Sequence, residues 1–116
     1  MAGIITYERD EINKRTCAMW AECGIQFRAN IIDADGLIPL HSHSYPHVSM
    51  CTQGWFDVVE ITPSGEKKEY QVASKGFKTD SPEFNPIGYR IVIEAGHQHT
   101  FTPRGGMGEI LCMWPG

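Results

Sequence analysis

The chain has 116 residues with 41% hydrophobic and 21% charged side chains, which suits one folded domain and argues against disorder. A net charge of −4 disfavours nucleic acid as a partner, since phosphate recognition needs a basic stripe and none is visible. No apolar run approaches the roughly 18 residues of a membrane-spanning helix. The amino terminus reads Met-Ala-Gly-Ile-Ile-Thr-Tyr-Glu-Arg-Asp, without the basic start and apolar stretch of a secretory leader, so a cytoplasmic protein is expected.

Residues 8–22 hold good helix formers but no apolar face at three- and four-residue spacing. They are expected to form a short helix or an arm, and residues 1–24 are set apart as an amino-terminal segment. From Ile25 onward, 12 glycines and 7 prolines in the whole chain keep segments short. Strands are predicted over Ile25–Asp33, Trp55–Thr62, Lys68–Ala73, Tyr89–Glu94 and Gly108–Trp114, all alternating or rich in β-branched and aromatic residues. The second and third, joined through Pro63-Ser-Gly65, read as a hairpin. Many short strands at regular spacing mean an all-β sandwich or small antiparallel barrel, here assigned to residues 25–116. Cys17, Cys23, Cys51 and Cys112 match no redox or zinc-ribbon spacing. They read as free, mostly buried thiols, with a Cys17–Cys23 zinc clip as the alternative. Trp20, Trp55 and Trp114 read as core or interface aromatics.

All five histidines fall in two short clusters, His41-Ser-His43-Ser-Tyr-Pro-His47 and Gly96-His97-Gln98-His99. Imidazole is the commonest neutral ligand of transition metals. His41 and His43, two apart, would share one face of a strand. His47 follows Pro46, which marks a bend, and His99 would approach from another strand. His97 is assigned a supporting place behind the ligands, on a tight turn after Gly96. Cys51 and Phe101 lie four and two residues beyond His47 and His99 and would share their inward faces. Tyr45, between ligands, is a candidate donor into the pocket.

Taken together, Gly36-x4-His41-x-His43-x3-His47-x6-Gly54 and Gly96-x2-His99 resemble the two signature motifs of the cupin superfamily, over roughly residues 25–115. His47 stands where the family has a glutamate, while Glu94 and Pro103 replace the proline and asparagine of the second motif. The resemblance implies a small antiparallel barrel or jelly roll. It also implies one divalent transition metal (Zn, Fe, Ni, Cu or Mn) on His41, His43, His47 and His99, and a small-molecule ligand or substrate. Four neutral imidazoles would leave the dication's charge intact and make it more Lewis-acidic than a site with a carboxylate.

Two functions follow from that site. One is a metal-dependent enzyme, either an oxygenase or an isomerase, cyclase or lyase acting on a small oxygenated molecule. The other is a non-catalytic module that binds a metabolite or metal. No serine-histidine-acid order, nucleophile elbow or phosphate loop offers another chemistry. Exposed sheet edges usually need covering, and many small cupins are dimeric. The resemblance therefore implies a homodimer whose interface includes the amino-terminal segment and buries Trp20.

Overall fold

The computed structural model describes residues 4–116 and contains ten strands and no helix. In chain order they are β1 (Thr6–Asp10), β2 (Arg15–Glu22), β3 (Ile25–Ile32), β4 (Ile38–His41) and β5 (His47–Gln53), followed by β6 (Trp55–Ile61), β7 (Lys67–Ala73), β8 (Arg90–Ile93), β9 (Gln98–Pro103) and β10 (Gly108–Pro115). They form a six-stranded sheet in the order β1-β2-β3-β10-β5-β8 and a four-stranded sheet in the order β4-β9-β6-β7. Every strand pairing is antiparallel. The fold is an all-β jelly roll, as the motif resemblance implies. No helix of the described residues is long and apolar enough to cross a membrane.

Inward residues of the two sheets meet in one core of Ile32, Ile38, Cys51, Phe56, Val58, Val72, Phe101 and Ile110. Phe56, Ile32 and Ile110 are fully buried. Strand alternation produces this arrangement, since every second side chain of β6 and β9 points toward the facing sheet. The hairpin expected at Pro63-Ser-Gly65 joins β6 and β7, with Gly65 N–H donating to the Thr62 carbonyl at 2.8 Å. Gly65 has φ +89°, which glycine adopts without steric cost.

The largest correction concerns residues 8–22, expected as a short helix or arm. They form β1 and β2, and β2 pairs with β3 along all eight residues from Arg15↔Ile32 to Glu22↔Ile25. The segment is thus continuous with the sheet rather than a unit set apart at residue 24; residues 1–3 lie outside the described residues. Helix preference is worth only tenths of a kcal/mol per residue. Pairing with the open edge of β3 and burying Cys17 and Ala18 outweighs it. The turn is built by Asp10, whose carboxylate accepts Asn13 N–H at 3.0 Å and the Asn13 side-chain amide at 2.9 Å.

That turn also braces the approach to the histidines. Asp33 N–H donates to the Lys14 carbonyl at 2.9 Å, and Leu37 N–H donates to the Asn13 carbonyl at 3.0 Å. Gly36 passes so close that a Cβ there would lie 2.6 Å from the Asn13 carbonyl oxygen. The glycine that opens the first motif is therefore required by the seating of the β1–β2 turn against the β3–β4 connection.

Candidate metal centre

Four of the five histidines converge at one end of the jelly roll. β4 ends at His41, β5 begins at His47, and His99 lies on β9 opposite His41 in the ladder. His43 does not share a strand face with His41, because β4 stops first and His43 lies in the connection to β5. Gly96 N–H donates to the His43 carbonyl at 2.8 Å. One backbone bond thereby ties the turn of the second motif to the loop of the first.

The candidate donor nitrogens of His41, His43 and His99 all lie within 4.8 Å of one another. An ion with bonds of about 2.1 Å in tetrahedral geometry holds its donors roughly 3.4 Å apart, so small side-chain rotations separate the two arrangements. The His47 ring sits 4.9 Å from His99 and 5.2 Å from His43 by centroid, at the rim of that trio.

Hydrogen bonds select the nitrogens that face inward. His41 Nδ1 donates to the Pro39 carbonyl at 2.7 Å, and His99 Nδ1 donates to the His97 carbonyl at 3.1 Å. Each bond fixes a tautomer that leaves a lone pair on Nε2, the usual support of a metal-ligating histidine. His47 is 4% exposed, and neither of its ring nitrogens has a partner among the described residues. Burying such groups unpaired is costly. A metal ion is the partner that suits a buried imidazole beside three others.

Desolvation keeps the cluster neutral. It lowers His47 to about 3, with the neighbouring imidazoles adding to the effect, and lowers His99 to about 4. His41 and His43 are lowered by the same cause. All four are thus unprotonated at neutral pH, the state in which imidazole binds metal.

The His97 imidazole stands apart from the other four. It turns from the cluster and bonds through Nδ1 to Glu60 Oε2 at 2.6 Å, with Glu94 3.3 Å from Nε2. Tyr70 Oη donates to the other Glu60 oxygen at 3.0 Å. What His97 gives the site is its backbone carbonyl to His99, and its imidazole belongs to a separate buried network.

The histidines border a cavity of about 360 Å³ between the sheets. Tyr45 and Phe101 line it. Cys51 does not: it points inward but lies deeper, in the core, with its sulfur 3.4 and 3.3 Å from the Gln53 and Gly54 carbonyls. Burial raises that thiol to about 11, so it stays protonated and inert. Tyr45 stacks between His43 at 4.9 Å and Trp114 at 5.2 Å, which holds the β4–β5 connection over one wall.

Sequence reasoning missed the far wall, supplied by Arg15 and Met19 of β2, Phe27 and Arg28 of β3, and Cys112 of β10. Alternation within β2 and β3 was the available signal, but the expected helix or arm concealed it for β2. The cysteines are free, with Cys17 and Cys51 buried and Cys23 exposed.

No family model and no curated protein matches the sequence. The fold, by contrast, has solved counterparts. An oxalate decarboxylase variant from Bacillus subtilis superposes with a TM-score of 0.76 at 10% identity, over 99% of this chain and 29% of that one. The hydroxypropylphosphonic acid epoxidase of S. wedmorenis gives 0.66 at 9% identity, over 94% and 54%. The cupin domain of Drosophila melanogaster CENP-C gives 0.67 at 10% identity, over 93% and 73%. This chain therefore spans about a third to a half of the two enzymes. The Bacillus enzyme carries Mn(II) centres. With two facing antiparallel sheets and a histidine cluster at one end, the chain has the fold of a cupin domain.

Proposed function

We propose that the chain is a metal-dependent enzyme acting on a small oxygenated organic molecule, with His41, His43, His47 and His99 as the ligands of one divalent ion. The observation that carries this reading is the His47 ring, buried with both nitrogens unpartnered beside three other neutral imidazoles. Zinc, iron, nickel, copper and manganese all suit such a donor set. When bound, the ion supplies Lewis acidity toward a substrate oxygen, or redox chemistry if it is iron or copper. The protein supplies the rest. Phe101, Phe27 and Trp114 give the cavity apolar walls, and Tyr45 offers a phenol that desolvation keeps protonated, able to donate to a bound oxygen.

The test is elemental analysis of the purified protein, followed by loading and by screens for oxygen uptake and enol isomerisation on small ketoacids and phenols. Zinc with isomerase or lyase turnover, or iron or copper with oxygen uptake, supports the proposal. Failure of every metal to bind refutes it.

A second reading is a non-catalytic module that holds a metabolite. In its favour, no aspartate or glutamate lines the cavity to serve as a general base. Tight binding of a ligand by the loaded protein without turnover would select it. We further propose a homodimer that covers β1, an edge of the six-stranded sheet where Ile5 and Tyr7 are exposed.

A further inference from the structure

The cavity that the histidines border holds positive charge and no acid to balance it. Its lining includes Arg15 and Arg28, and no aspartate or glutamate. Arg15 is neutralised nearby, with Nε donating to Asp10 Oδ2 at 3.1 Å and Nη1 to Asn30 Oδ1 at 3.4 Å. Arg28 is not. Its guanidinium donates from Nη2 to the Cys17 sulfur at 3.3 Å, a weak acceptor, and its buried Nε has no partner among the described residues. The carboxylates that pair with arginines among those residues go to Arg9, Arg15 and Arg104.

A half-buried guanidinium with an unpaired Nε favours an anionic partner. Arg28 is fixed in the sheet by its ladder partners Met19 and Cys112, on β2 and β10. Arg28 lines the same cavity as His41, His43 and Tyr45, which places it opposite the histidine end in one enclosed space.

We propose that Arg28 is the carboxylate-binding group of this cavity, so that the ligand is a small organic carboxylate whose second oxygen function faces the histidines. The proposal rests on the metal-site reading and names its substrate class. The planar guanidinium fork matches a carboxylate through two parallel hydrogen bonds. Met19, Phe27, Ile38 and Trp114 supply apolar walls that favour a hydrocarbon or aryl body over a bare inorganic anion. At about 360 Å³ the space is near the lower end of ligand pockets, roughly 300–1,000 Å³, and suits a molecule the size of a benzoate.

The test is calorimetric titration of the zinc-loaded full chain with 2-hydroxybenzoate, its neutral relative 2-hydroxybenzamide, and inorganic phosphate. Wild type is expected to bind the carboxylate roughly 10–100-fold more tightly than the amide, as a desolvated charged pair requires. Arg28→Met should cut that ratio roughly tenfold, leaving only the share the ion itself contributes, and Arg28→Lys should restore part of it. Equal affinity for carboxylate and amide in wild type, or an unchanged ratio in Arg28→Met, overturns the proposal. So does an absence of 2-hydroxybenzoate binding at about 5 mM, far above the Kd expected of such a pair. Phosphate binding as tightly as the carboxylate, and lost in the same variant, overturns the organic class.

Zinc content is measured on each sample, so failure to load zinc identifies failure of the metal-site reading. The same carboxylate-to-amide ratio in metal-free protein then decides the role of Arg28. If Arg28→Met does not fold, the wild-type ratio and Arg28→Lys decide it.

Discussion

Replacing His47 by leucine separates a ligand from a structural histidine. In the metal-free protein the imidazole is buried with both nitrogens unpartnered among the described residues, and each such group costs about 1–3 kcal/mol. Leucine has a similar volume and no polar atom. Unfolding entropy near 2.1 cal/mol/K per residue gives about 0.24 kcal/mol/K for 116 residues, so each kcal/mol moves Tm by about 4 °C. In chelator, His47→Leu is therefore expected to melt at or above wild type, by up to about 4–12 °C. Zinc should reverse the order. At one hundred times Kd, binding adds about 2.7 kcal/mol, a rise of about 11 °C in wild type. A roughly hundredfold loss of affinity on removing a ligand leaves about 0.4 kcal/mol, or about 2 °C, at the same zinc concentration. Differential scanning fluorimetry with and without zinc reads both effects. A variant that falls more than about 8 °C in chelator, or keeps the full zinc shift, refutes the reasoning.

His97→Ala should leave zinc content unchanged, because the carbonyl that orients His99 is backbone. It should cost about 2–4 kcal/mol by stripping a partner from buried Glu60, which keeps only the Tyr70 bond; equilibrium denaturation and elemental analysis check both halves. In chelator, stability should fall as pH drops from 7 to 5. His47 and His99, held near 3 and 4 by burial, stay neutral in the fold, while the unfolded chain protonates below about 6.5. The loss is on the order of 2 kcal/mol per histidine at pH 5, and an urea midpoint that stays flat over that range would contradict it. A dimer is expected by light scattering at tens of micromolar, and removal of residues 1–9, which spares the turn-building Asp10, should give a folded monomer. A wild-type monomer excludes the dimer. Longer deletions would be uninformative, since β2 is integral to the sheet.

The four-imidazole cluster and the acid-free cavity reinforce each other energetically. A site with a carboxylate ligand gives up part of the ion's charge within the protein. Here the charge of the ion and of Arg28 would face the ligand with no internal acid in the lining to offset it. Anionic ligands would be favoured on that ground alone, in a cavity whose partly apolar walls weaken screening. His47 in place of a glutamate and the unpaired Arg28 thus push the preference in one direction.

The sequence by itself determined the fold class and the convergence of His41, His43, His47 and His99. Both depend on local signals: period-two alternation, turn residues, and a spacing of histidines and glycines that resembles one family. The tertiary structure decided four things that no local pattern encodes. Residues 8–22 became strands because the open edge of β3 offered a ladder worth more than their helix preference. Cys51 went to the core rather than the cavity, since inward direction does not specify depth between the sheets. His97 turned to Glu60 because β6 places a buried carboxylate beside it, and Arg28 became a cavity group because β2, β3 and β10 lie side by side. Each outcome depends on a partner far away in the chain, and only the folded arrangement of the sheets brings those partners within contact distance.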